Sequence, residues 1–144
     1  MQLTAFTDFS LRTLMGLAAV APDKLTVGQL SQAYGISSHH LLKVVNQLAA
    51  LGYVETIRGK AGGARLAMSP ADIYIGAVVR QVESDVGVVP CLRRGDAPCV
   101  ISPACRLKGV LASATESFLA ELDRHTLADL LEPRRQLQRL LKLV

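Results

Sequence analysis

Aromatic side chains are scarce in this chain, which has three Tyr, three Phe and no Trp among 144 residues. An aromatic-lined pocket for a small ligand is thereby disfavoured. Histidine is as sparse, with only His39, His40 and His125. No phosphate-binding glycine loop and no nucleophile–base pair is visible, which argues against an enzyme. No apolar run reaches the roughly 18 residues that span a bilayer. The segment LMGLAAVA imitates an export signal, but the charges ahead of it, Asp8 and Arg12, cancel instead of giving the positive start such signals need. The expectation is a cytoplasmic protein with reduced thiols and no membrane partner. Cysteine is the last scarcity: Cys91, Cys99 and Cys105 are an odd number, so a closed set of disulfides cannot account for them.

What the chain does have is a large apolar fraction, 50%, and a net charge of +4. The positive excess sits in the first half, where residues 1–70 hold six Lys/Arg against three Asp/Glu. Nucleic-acid binding is permitted by that balance without being required. Thr7 is a candidate cap for a first helix with Leu11, Leu14, Met15, Ala18 and Ala21 on its apolar face, ended by Pro22-Asp23. Thr26-Val27-Gly28-Gln29 has the form of a capping box, and Gly35 stands where a left-handed cap would close that helix. Ser37 then opens a third helix with Leu41, Leu42, Val45, Leu48 and Ala49, closed by Gly52. Two short helices joined by YGIS form a helix-turn-helix pattern. YVETIR and RLAM, on either side of GKAGGA, read as a β-hairpin, and a hairpin directly after a helix-turn-helix is a wing.

Ser69-Pro70 predicts a further helix running to about Glu83, and Ser102-Pro103 repeats the signal ahead of a helix of about twenty residues. Leu107, Val110, Leu111, Ala114, Phe118 and Leu122 line the latter. A helix that long after a complete domain predicts burial against a symmetry mate in a homodimer, the competing reading being that it folds back on its own domain. Thr126 is read as the start of a short last helix that Pro133 stops, leaving a basic apolar tail. The fold class is therefore mainly α with a small β-hairpin wing. Residues 1–84 form a winged helix-turn-helix domain, 85–105 a cysteine loop, and 106–144 a dimerisation helix and tail.

On the third helix His39, Lys43 and Asn46 share a polar face, with Ser37, Ser38, His40 and Gln47 beside it. Lys, Asn and Gln are suited to purine edges in the major groove of double-stranded DNA. The wing adds Arg58, Lys60 and Arg65 around Gly59, Gly62 and Gly63, cations to neutralise phosphates and glycines to bring the backbone close. Each feature alone is an ordinary solvated face or a hairpin turn. In helix-turn-helix order they predict an operator-binding surface.

The thiols share one loop, CLRRGDAPCVISPAC, with seven and then five residues between them. Cys105 is placed in the first turn of the long helix, where the positive helix terminus favours a thiolate. Arg93, Arg94 and Arg106 are close in sequence and suit an anionic centre. Structural zinc wants four protein ligands, and a ferredoxin-type carrier wants four cysteines. Three thiolates with an oxygen ligand remain, and Asp96 within the loop is one such donor.

MQLTAFTDFSLRTL, VNQLAALGYVETIRGKAGGARL, ISPACRLK and SFLAELDRHTLADL resemble, nearly end to end, the nitric-oxide-sensing members of the winged-helix iron–sulfur regulators that also include IscR. The resemblance implies a homodimeric repressor with a 4Fe–4S cluster (2Fe–2S as the alternative) held by Cys91, Cys99 and Cys105. It further implies that Asp8 completes the cluster from across the dimer, and Arg12, one turn later, is placed to steady that carboxylate. Two departures count against a cluster-biogenesis regulator. The gap from Cys91 to Cys99 is longer than the IscR spacing, and Lys108 stands where IscR-like proteins carry a histidine ligand. The expected function is repression released by nitric oxide. The competing reading is a metal-free or zinc-stabilised winged-helix regulator answering to a small molecule.

Overall fold

The computed structural model describes residues 2–95 and 99–143. Helix α1 (Ala5–Val20) opens under Thr4, whose side chain accepts a hydrogen bond from the Thr7 amide. Thr7 is therefore not the cap but lies one turn inside and is fully buried. Helix α2 (Val27–Tyr34) starts with the expected box, Thr26 and Gln29 each bonding the other's backbone, and ends at Gly35 with φ 66°. A left-handed cap of that kind suits glycine because no Cβ opposes it. Ser37 caps helix α3 (Ser38–Ala50) through the His40 amide at 3.3 Å. Leu41, Val44, Val45 and Leu48 fill the buried side of α3, whereas Leu42, read from sequence as part of that side, is half exposed.

Strands β1 (Val54–Ile57) and β2 (Gly63–Leu66) pair antiparallel, Val54 opposite Leu66 and Ile57 opposite Gly63. Leu25 adds a bridge to Ala64, with both backbone bonds made at 2.9 and 2.8 Å, so the wing is stitched to the entry of α2. The Lys24 ammonium also donates to the carbonyl of Ala61 near the wing tip. Leu14, Leu17, Leu30, Leu41, Leu48 and Val44 bury completely between these elements and make the core of the winged helix-turn-helix unit, the expected reading head.

Helix α4 (Ile75–Val82) is shorter than Ser69-Pro70 suggested. Pro70–Asp72 forms only a 3₁₀ turn, and Ile73 and Tyr74 are extended. The cause is a distant partner: Leu127 donates to the Ile73 carbonyl at 2.8 Å and Ile75 to the His125 carbonyl at 2.9 Å. Tyr74 and Thr126 thus form an isolated antiparallel bridge that takes the backbone bonds a longer helix would have used. Helix α5 (Arg106–Asp123) follows the cysteine loop. Its C-terminal half packs on α4 through Thr115 and Leu119, so folding back is correct for that half. Leu107 and Val110 in its first half are more than 60% exposed.

Pro133 does not end the chain's helices but precedes the last one, α6 (Arg134–Leu140). Arg134 and Gln138 donate to the Ala19 carbonyl, and Arg134 also to that of Ala21. These side chains satisfy carbonyls at the end of α1 that no intrahelical donor reaches, so the basic tail is docked on the reading head. Among the described residues no helix is long and apolar enough to cross a membrane.

Candidate functional site

Every residue of α3 singled out for DNA is exposed: Ser37, Ser38, His39, His40, Lys43, Asn46 and Gln47. The apolar residues of α3 face the core at three- and four-residue steps, which turns this polar set outward as one surface. His40 is tied inward as well, its ring centroid 6.1 Å from that of Phe9 on α1. The start of the reading helix is therefore set against the first half of α1.

On the wing Arg58 and Lys60 are exposed. Arg65 is exposed too, but its Nε donates to Glu55 across the hairpin at 2.8 Å, so DNA would have to compete for it. Gly62 has a structural reason to be glycine: a Cβ there would stand 2.5 Å from the Ile57 carbonyl oxygen. A Cβ on Gly63 would meet the Leu25 carbonyl oxygen at 2.8 Å, the same bridge that fixes the wing. The glycines thus build the hairpin, and its narrow backbone remains free to approach a phosphate.

Of the thiols, Cys91 is half-buried in the 3₁₀ turn Pro90–Leu92 and Cys99 is exposed. Half-buried Cys105 is itself the N-cap of α5, its sulfur accepting the Lys108 amide at 3.4 Å. The sequence placed it inside the first helical turn instead, but Ser102-Pro103 starts only a 3₁₀ turn, Ser102–Ala104. All three thiols are free. A sulfur at a capping position faces the positive helix end, a suitable place for an anionic metal centre. The donor set therefore fits a thiolate-bound iron centre. It is not preassembled, because among the described residues no three His, Cys, Asp or Glu side chains gather at metal-binding distance. Asp8 lies on α1 and forms a two-pronged ion pair with Arg12, both contacts at 3.0 Å. Its carboxylate is half exposed, and among the described residues it forms no three-membered cluster with the thiols. Asp96 lies outside the described residues.

Two acids that sequence reasoning passed over organise this region. Glu83, 8% exposed, is the residue that ends α4. One carboxylate oxygen, Oε2, accepts from the Thr7 hydroxyl at 2.7 Å, the Thr4 amide at 3.0 Å and the Thr4 hydroxyl at 3.2 Å. The only signal in the sequence is that a negative charge at a helix C-terminus is locally unfavourable and so asks for a partner elsewhere. Asp85 accepts from the Gly87 and Arg94 amides at 2.8 and 3.1 Å, pinning both limbs of the loop around Cys91. The Gly87 amide in the first place, then the Arg94 amide and the charges of Arg93 and Arg94, hold its carboxyl below the usual range.

The profile of the Rrf2 family, described as an iron-dependent transcriptional regulator, matches residues 3–133. The chain is 49% identical over 144 residues to the HTH-type transcriptional regulator NsrR of Bacillus subtilis, covering 99% of both chains. It is 49% identical over 143 residues to the regulator of the same name from Geobacillus kaustophilus, covering 99% of this chain and 97% of that one. Among solved structures it resembles T. potens IscR with a TM-score of 0.72 at 24% identity, over 92% of this chain and 88% of that one. It also resembles CymR, the global cysteine regulator of B. subtilis, with a TM-score of 0.63 at 24% identity over 90% and 95%. These structures carry the winged-helix fold, and the sequence relatives are regulators, not enzymes. A reading helix, a stitched wing and a full-length family match lead to one conclusion: this chain is a DNA-binding transcriptional regulator that belongs to the Rrf2 family.

Proposed function

We propose that this regulator is a cytoplasmic homodimeric repressor that senses nitric oxide through an iron–sulfur cluster, 4Fe–4S rather than 2Fe–2S. Cys91, Cys99 and Cys105 would hold the cluster, and Asp8 of the partner subunit would supply the fourth ligand. The observation that carries the reading is the place of the thiols. All three stand on the segment joining α4 of the reading head to α5, and one of them caps α5. The half-exposed Asp8 carboxylate fits a ligand offered to a neighbour, with Arg12 orienting it. Leu107 and Val110 leave an apolar stripe on the first half of α5, continuous with the thiol loop, which suits a second copy of the chain.

When bound, the cluster supplies iron that nitric oxide attacks. The residues of the chain do the rest. Ser37, Ser38, His39, His40, Lys43, Asn46 and Gln47 read the major groove, while Arg58, Lys60, Gly62, Gly63 and Arg65 meet the backbone and minor groove. The thiol loop sets the separation of the two reading heads, which must match half-sites one helical turn or a multiple apart. Support for the nitric-oxide signal comes from the sequence resemblance and from two relatives of 49% identity that share the name NsrR.

The test is anaerobic purification with iron and sulfide counting. Wild-type protein is expected to be brown and to hold iron and sulfide in equal amounts. Cys99→Ser, which removes an exposed thiol at little cost to folding, is expected to lose both. A colourless wild-type protein holding stoichiometric zinc would overturn the iron assignment.

A further inference from the structure

We propose that Glu83 is a positioning residue that transmits the state of the thiol loop to the DNA-reading helix, by clamping the first turn of α1 to the end of α4. The inference rests on the function proposed above and adds to it a route within one subunit. A carboxylate this buried, 8% exposed, needs full compensation. It has that compensation in the Thr7 hydroxyl and the Thr4 amide and hydroxyl, at 2.7, 3.0 and 3.2 Å, and in the positive end of α1. The partners are 76 and 79 residues away in sequence, so the contact joins elements that nothing local holds together.

On one side of the clamp lies the sensor. Two residues beyond Glu83, Asp85 grips the Gly87 and Arg94 amides on the two sides of Cys91. The sulfurs of Cys91, Cys99 and Cys105 are not gathered in this structure, so any centre binding all three draws the loop inward. The strain of that movement arrives first at Asp85 and then at Glu83. On the other side lies the reader. Thr7 immediately precedes Asp8 and Phe9, and the Phe9 ring stands 6.1 Å from that of His40 in the first turn of α3. A shift of the α1 terminus by a fraction of an ångström therefore reaches a residue at the DNA surface through packed groups. The clamp also connects Asp8 to the loop of its own subunit. In a dimer where Asp8 serves the other subunit's centre, each centre would feel the state of both loops.

The experiment compares operator affinity of iron-loaded and iron-free dimer, anaerobically and at one salt concentration, on a duplex selected in vitro by the iron-loaded wild-type protein. Four proteins are needed: wild type, Thr7→Val, Glu83→Ala and Glu83→Gln. Thr7→Val keeps the buried shape and removes the shortest bond, so it remains informative if Glu83→Ala fails to fold. The wild-type ratio is expected at roughly 5- to 150-fold, the usual span of coupling between sites. Thr7→Val and Glu83→Ala are expected to bring it below about 3-fold with iron-free affinity unchanged, and Glu83→Gln, which keeps an acceptor oxygen, to preserve most of it. In the iron-free protein, amide exchange at Asp8, corrected for intrinsic rate, is expected to quicken in Thr7→Val. A variant ratio equal to that of wild type, whatever happens to melting temperature, would show Glu83 to be merely structural and overturn the proposal. A wild-type ratio of one would instead sink the function on which it rests.

Discussion

Gly76 faces Asp123 where α4 meets the end of α5. A Cβ there would lie 2.8 Å from Asp123 Cγ and 2.9 Å from its backbone nitrogen, distances that real carbon atoms do not tolerate. Asp123 itself is held by Arg80, whose Nη2 donates to Oδ2 at 2.8 Å. That ion pair is about 40% exposed, so its own worth is small. The steric demand is the larger effect. Gly76→Ala is expected to cost about 1–3 kcal/mol in denaturant unfolding because backbone as well as side chain must shift, whereas Asp123→Asn should cost clearly less, because an exposed ion pair contributes little. Equal losses for the two would mean that the pair, not the packing, matters. At this scale the sequence was legible where causes are local. Thr26, Gly35 and Ser37 do what their neighbours dictate. Thr7 was misread as a cap because Thr4 and Glu83, the latter far along the chain, decide its role.

Elements were legible to the same degree and for the same reason. The helix-turn-helix and the hairpin follow from short-range signals, although the second strand is Gly63–Leu66 and not the RLAM of residues 65–68. α4 begins five residues after Pro70 because residues 125–127 claim the backbone of residues 73–75, and no local pattern announces that. Among the described residues the thiol loop holds two short 3₁₀ turns, and Asp85 ties its two limbs together. The folded pKa of Asp85 lies below the ordinary 3.8, chiefly because Gly87 donates to the ionised form. Its contribution to loop order is therefore complete above the unfolded value and drains away as pH falls through the folded one. Amide exchange at Gly87 and Arg94, corrected for intrinsic rates, is expected to rise relative to the core as pH falls below about 4. Asp85→Asn should remove that dependence. A pH dependence in Asp85→Asn equal to that of wild type would contradict the assignment.

As a whole molecule the chain is a reading head joined to a helix that serves two purposes. The second half of α5 closes the core with Leu119, while its first half holds Leu107 and Val110 out in solvent beside the thiols. The sequence revealed a long apolar stripe but not its division, and it missed Thr115 and Leu119, the α5 residues that bury, while Ala114 of the stripe is exposed. α6, docked on the end of α1, returns the C-terminus to the reading head. The separation of two such heads would then be set by what happens between α4 and α5. One measurement tests that most directly: anaerobic binding of the wild-type protein to its selected operator, iron-loaded against iron-depleted, at a single salt concentration because phosphate contacts make affinity salt-dependent. The account predicts that iron removal weakens binding by roughly 5- to 150-fold. Equal affinity of the two forms would contradict it.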